Sequence, residues 1–167
     1  MQRTVDVFEL ARDGGSVEGQ VEAAELARLS GMPMHPVGPI RYVLQGRIDE
    51  HGRSAARLRL RGSLELACDL CGAPLAWELD ESEGFFFLDD PEQIGALPIT
   101  IEADEPLAGS RLFDLHGLVE EQAILALPIS PRHPACEQQL QRDRPEEQGR
   151  RPFAVLAALK RGRSDIQ

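Results

Sequence analysis

The chain is poor in aromatic side chains, which make up 5% of its 167 residues. Any core must therefore be built mainly from Leu, Val, Ile and Ala. The 42% hydrophobic content is near the globular norm and is enough for one. Positive charge is in deficit as well: 18 Lys and Arg against 28 Asp and Glu leave a net charge of −10. A domain that binds nucleic acid by itself carries a basic footprint. The deficit excludes whole-surface RNA binding and leaves a local basic patch or a protein partner. It is also uneven. Residues 72–110 contain no Lys or Arg, whereas Arg41 to Arg61 holds six arginines. No stretch approaches the roughly 20 apolar residues of a membrane helix. Residues 1–10 hold no apolar run that could act as a signal peptide. The expectation is a soluble cytosolic protein with no membrane partner. Three cysteines, an odd number in a reducing compartment, argue against a disulfide framework and leave metal binding or free thiols. There is no Gly-rich phosphate loop, no Ser-His-Asp order and no H-E-x-x-H. No enzyme is predicted.

What is present centres on Ala56 to Asp80. Leu58, Leu60, Leu64 and Leu66 alternate with Arg57, Arg59, Arg61, Ser63 and Glu65. Leu75, Trp77 and Leu79 then alternate with Ala76, Glu78 and Asp80. Period-two alternation marks strands with one buried face. Between the two runs lies Cys68-Asp69-Leu70-Cys71-Gly72-Ala73-Pro74, whose Gly and Pro predict a turn. The stretch reads as a hairpin with a C-x-x-C at its tip.

In chain order, Val5 to Leu10 reads as a short strand and Asp13–Ser16 as a turn. Ser16 is a candidate cap for a helix over 17–29, with Val21, Ala24, Leu26 and Leu29 for packing and Gly31 beyond its end. Three prolines make 32–39 a connector without regular structure. Strands are expected near 40–48, 55–67, 75–80, 83–88 and 97–102, with a turn at Asp49–Gly52 and a break at Asp89–Glu92. The clearest helix is 112–127, with Asp114 as N-cap and Pro128 as its stop. Glu120 and Glu121 within it read as a solvated face. The fold class predicted is α+β: an antiparallel meander, or partly closed barrel-like sheet, with the two helices. One domain over 1–136 is expected, followed by a polar flexible linker at 137–149 and a basic C-terminal helix or tail at 150–167.

Cys68, Cys71, His133 and Cys136 form a candidate Cys₂-His-Cys set for one structural zinc, delivered as two close pairs. The 61 residues between the pairs make this weaker than a compact zinc ribbon. Redox chemistry is disfavoured, because the motif lies between strands and Asp69 beside it would raise a thiol pKa. The bland alternative makes Cys68 and Cys71 semi-buried turn residues. His35 and His51 lie in loops with no partner in the pattern, and His116, near the start of the main helix, reads as solvent-exposed rather than catalytic. Arg57, Arg59 and Arg61 form either a nucleic-acid-facing stripe or, as the blander reading has it, cross-strand partners of Glu78 and Asp80. Arg150, Arg151, Lys160 and Arg161 make the tail a second basic candidate.

Taken together, C-D-L-C-G-A-P-L, the helix D-L-H-G-L-V-E-E-Q-A-I-L-A-L-P, the following I-S-P-R-H-P-A-C and the terminal R-P-F-A-V-L-A-A-L-K resemble the YceD-type family of bacterial large-ribosomal-RNA accumulation proteins. The resemblance covers most of Ala56 to Arg161. It implies a cytoplasmic, non-enzymatic factor that supports synthesis, processing or stability of 23S ribosomal RNA. Its partner would be ribosomal RNA, a ribosomal protein or an RNA-processing factor. An acidic body is repelled by RNA, which favours an adaptor whose acidic stretch Glu78 to Glu105 attracts a basic protein. The alternative from another class is a zinc- or thiol-dependent enzyme using the C-x-x-C.

Overall fold

The computed structural model describes residues 3–32, 34–36, 38–97 and 104–142. In order, the elements are β1 (Thr4–Val5), α1 (Val7–Asp13), β2 (Ser16–Glu22), a 3₁₀ turn (Ala23–Glu25), α2 (Ala27–Ser30), β3 (Met34–Pro36), β4 (Pro39–Ile48), β5 (Ser54–Ala67) and β6 (Pro74–Leu88). There follow α3 (Glu92–Ala96), β7 (Asp104–Ala108), β8 (Phe113–Asp114), α4 (Leu115–Leu125) and α5 (Pro134–Arg142). The chain divides into two compact units, Met1–His133 and Pro134–Gln167. The first holds every described strand; α5 is the described element of the second.

The alternation of the central hairpin sets the register. Across β4 and β5, Tyr42 faces Leu60 and Leu44 faces Leu58, while Arg41 faces Arg61 and Val43 faces Arg59. A one-residue slip would carry every Leu to the solvent side, so the register is strongly held. The sheet runs β2-β4-β5-β6-β7, with β3 on the far end of β5; β1 and β8 form a separate pair. Among the described residues all pairings are antiparallel except β6 with β7. The α+β class is as expected, but the sheet stays open along this path instead of partly closing into a barrel.

One face of the sheet is the core. Ile40, Tyr42, Leu44, Leu58, Leu60, Leu64 and Phe85 meet Val7 and Leu10 of α1, Leu29 of α2, and Leu115, Leu118 and Val119 of α4. Each fully buried side chain of this kind contributes about 1.5–3 kcal/mol. Gly46 lets α1 close down on β4: a Cβ there would run into the carbonyl of Leu10.

Several expectations are corrected. Residues 7–13 are helical, not extended. Asp6 caps α1 by accepting the N–H groups of Phe8 and Glu9, each at 3.0 Å, and Gly14 ends it with φ 61°. The helix expected over 17–29 is β2 followed by two short helical turns. Val17, Gly19 and Val21 alternate with Glu18, Gln20 and Glu22, and Gly19 leaves room for Tyr42, whose hydroxyl lies 2.6 Å from where a Cβ would stand. Within the supposed connector, Met34–Pro36 pairs with Leu64–Leu66; Pro is tolerated where a strand is peripheral. The strands at 75–80 and 83–88 are one continuous strand. Of the strand expected at 97–102, Leu97 only follows α3 and the remainder lies outside the described residues; the strand found is β7, in the acidic segment after it. The main helix is shorter than 112–127, but Asp114 is its cap, accepting from the Gly117 N–H at 3.1 Å. The stretch expected to be a linker from residue 137 is helical as far as Arg142; 143–149 and the tail lie outside the described residues.

Candidate metal centre

The β5–β6 turn folds back on itself. The Cys68 N–H donates to the Ala73 carbonyl at 2.9 Å and the Gly72 N–H to the Cys68 carbonyl at 2.8 Å. Gly72 takes φ 71°, a left-handed conformation that a side chain would strain. This winding aims the backbone N–H groups of Leu70 and Cys71 at the Cys68 sulfur.

The loop after α4 completes the arrangement. The Asp69 N–H donates to the Pro131 carbonyl at 2.9 Å, which brings residues 131–133 against the turn. Proline at 131 has no N–H of its own to satisfy, yet offers its carbonyl. His133 Nε2 lies 2.9 Å from the Pro74 carbonyl. A carbonyl only accepts, so Nε2 carries the proton. In the neutral ring Nδ1 then holds a bare lone pair, and it sits 3.5 Å from the Cys71 sulfur. The donor atoms of Cys68, Cys71 and His133 lie within 4.8 Å of one another. A ring N–H given to a carbonyl, with the other nitrogen turned to thiols, is how metal-bound imidazoles are oriented.

The electrostatics agree. The Cys68 thiol is pushed down to about 6, chiefly by the His133 backbone N–H; burial opposes the shift, and the amides of Cys71 and Leu70 add to it. Asp69 was expected to raise a thiol pKa, but oriented amides dominate at Cys68. His133 is raised from its ordinary value by the Cys68 side chain first, then by the Pro74 carbonyl and Cys71. The thiolate that the amides favour at Cys68 is the form that ligates a metal. Cys68 is only 2% exposed. Redox-active cysteines sit in partly exposed sites; a buried thiolate acts better as a ligand than as a nucleophile. None of the three cysteines is in a disulfide. Cys136, the remaining sequence candidate, belongs to the second unit, in the first turn of α5 and three residues after His133.

Arg57, Arg59 and Arg61 lie on the outer face of the sheet, away from this site. Arg61 pairs with Asp80 at 3.2 Å, both side chains 70% exposed, an interaction worth little. Glu78 accepts instead from Ser63, at 3.0 Å. Among the described residues Arg57 and Arg59 form no ion pair. Arg150, Arg151, Lys160 and Arg161 lie outside the described residues. Glu120 is not a purely solvated side chain: its carboxylate accepts the Arg28 and Leu29 N–H groups, at 2.7 and 3.2 Å, and so caps α2. No local signal could have revealed that, because the partners are more than 90 residues apart.

Residues 56–160 match the family model described as Large ribosomal RNA subunit accumulation protein YceD. The protein of that name from Haemophilus influenzae is 29% identical over an alignment that covers 94% of each chain. No solved structure matches the chain significantly.

Proposed function

The chain belongs to the YceD family of large ribosomal RNA subunit accumulation proteins, and from that premise we propose that it supports the synthesis, processing or stability of 23S ribosomal RNA without catalysing a reaction. The observation that carries this is the extent of the family match, which runs through the C-x-x-C turn, the rest of the hairpin, α4 and the His133 loop. The test is the ratio of 23S to 16S ribosomal RNA in a strain lacking the gene. The ratio should fall and recover when the gene is restored; an unchanged ratio would overturn the reading.

The mode of action is that of an adaptor in the cytosol. With a net charge of −10, the body is drawn to basic proteins and repelled by bare RNA. Tight binding of the purified protein to a 23S fragment at physiological salt, with no protein partner, would defeat the adaptor reading in favour of direct binding.

Cys68, Cys71, His133 and Cys136 supply one structural zinc site in this reading. The donor set is three thiols and an imidazole, which suits tetrahedral zinc. Support comes from the turn that gathers amides around Cys68 and from the fixed tautomer of His133; Cys136 enters because it stands three residues after His133. Bound zinc would neutralise the thiolates and tie the hairpin tip to the loop after α4. Metal analysis of the untagged protein should find about one zinc per chain, lost in Cys68→Ser and in Cys136→Ser. Metal-free protein, with both variants as stable as the parent, would remove the zinc.

A further inference from the structure

The outer face of the sheet is open where β4 and β5 run side by side. The helices pack on the other face, and Arg41, Val43, Gln45, Arg59 and Arg61 are exposed. The register decides what stands beside each arginine. Arg41 lies directly opposite Arg61. Arg59 lies between Val43 on β4 and Ser82 on β6, and the half-buried Arg57 between Gln45 and Gly84. Opposite charges facing each other across strands stabilise a sheet, and like charges destabilise it. Here one arginine faces another, and two have uncharged neighbours on both sides. Arg61 has Asp80 as a partner, but through an exposed contact that neutralises little. Among the described residues Arg41, Arg57 and Arg59 form no ion pair. This placement does nothing for the sheet and leaves its charge to an outside partner.

The chemistry defines that partner. Residues two apart on a strand stand about 7 Å apart, so the arginines form a line that a regularly spaced polyanion can follow. Planar guanidiniums match phosphate oxygens in bidentate pairs. Protein interfaces are anchored instead by aromatic or apolar side chains seated in pockets; among these arginines the apolar group is one half-exposed valine, Val43. Unpaired bases need aromatic rings to stack on, and the described positions between the arginines present none. The backbone of a duplex needs neither. Glu18 on β2 and Glu78 on β6 flank the line, so it is a narrow track with acidic margins. We propose that Arg41, Arg57 and Arg59, continued by Arg61, seat the phosphate backbone of an RNA duplex. The inference rests on the adaptor reading and gives the adaptor its second surface. The acidic body takes the protein partner, and its charge keeps the track from holding RNA alone at physiological salt.

The probe is a fluorescein-labelled RNA duplex of about 16 base pairs, the span of a common duplex-binding domain, titrated into the full chain and read by anisotropy. Binding should be measurable at about 0.05 M salt, with log K falling against log salt at a slope near −3, one phosphate for each of the three unpaired arginines. That slope makes binding roughly thirty-fold weaker at about 0.15 M salt. Arg41→Gln/Arg59→Gln should weaken it at least about ten-fold and flatten the slope to near −1. The same charge change on the helices, Arg12→Gln/Arg28→Gln, should move it by less than about three-fold. The face variant should also melt no lower than the parent, because it relieves the repulsion between Arg41 and Arg61. Equal weakening by the two double variants would overturn the track, as would no binding at about 0.05 M salt. A lower melting temperature of the face variant would make the arginines structural. A glutamate-rich peptide that bound as tightly with the same slope would transfer the partner from RNA to an acidic protein. The gene-deleted strain separates this from the parent reading. A normal 23S ratio in the deletion itself defeats the parent reading, whereas a deletion phenotype fully rescued by the face variant defeats only the track.

Discussion

At one end of β5 the chain turns through Asp49–Arg53, and each hydrogen bond described there is local. The Asp49 carboxylate accepts the His51 and Arg53 N–H groups at 2.9 and 2.8 Å and the Arg53 guanidinium at 2.6 Å. That guanidinium lies 3.6 Å from the centroid of Phe86, a cation–π contact with the neighbouring strand. At the other end, the Cys68–Ala73 turn closes its backbone but leaves two thiols close together, and it is hydrogen-bonded to a loop some 60 residues away, its Asp69 N–H donating to the Pro131 carbonyl. In the first turn Asp49 and Arg53 pair with each other. The second gathers two thiols and is bonded to a distant segment. A turn built from its own residues serves as a strut; one built from two segments can serve as a joint.

The largest expected effect comes from breaking the second turn. His133→Ala or Cys68→Ser should lose zinc and melt on the order of 10 °C lower, whereas Asp49→Ala should keep its zinc. Metal analysis with thermal melting checks this, and unchanged melting of His133→Ala would mean that the two turns are equally self-sufficient. Next, Asp49→Ala should cost about 1–2 kcal/mol by removing the acceptor of two N–H groups and a guanidinium. Urea unfolding should give the same loss with and without chelator, since distant sites add. A loss that changed on chelation would show the turns to be coupled. Smaller still are Gly52→Ala and Gly72→Ala, whose φ values of 76° and 71° are alike. Each should cost about 1 kcal/mol in metal-free protein, but only the second should weaken zinc binding.

The smallest effect is one of pH. Burial alone would raise the Asp49 carboxyl, but the Arg53 side chain and the two N–H groups hold it below its ordinary value. A depressed carboxyl stabilises the fold above its unfolded pKa, and the contribution is lost as pH falls through the folded value. Asp49→Asn should therefore differ from the parent in melting temperature at pH 7 and converge with it below about pH 4.

The two turns also show what could be read in advance. Asp49-x-x-Gly52 and the alternation around it placed β4, β5 and their turn within a residue, because the cues are local and the side-chain period is strict. Asp114 was recognisable as a cap for the same reason. Asp6-x-x-Glu9 and Gly14 carried equally local capping cues for α1, but the apolar Val5, Val7 and Leu10 suggested a strand. At 17–29, Ser16 looked like a cap, and the alternation of Val17, Gly19 and Val21 was outweighed by helix-forming residues further on. Pairing with β4 decided otherwise. The C-x-x-C was visible as a pair of ligands. Its closeness to His133 follows from Asp69 bonding to Pro131, a tertiary event with no sequence period.

Glu120 reaching back to the N–H groups of Arg28 and Leu29 has a consequence for how far the chain can be trimmed. The family match begins at Ala56, inside β5. A fragment cut there would take with it β4, and with β4 the Tyr42 and Leu44 that cover Leu60 and Leu58. It would also strand Glu120 with no helix to cap. The long bare edge of β5 would be open to pairing with another copy. The span by which the protein is recognised is therefore not autonomous. The first third supplies the strand and helices that this span packs against, and removing it should yield aggregates instead of a smaller working protein.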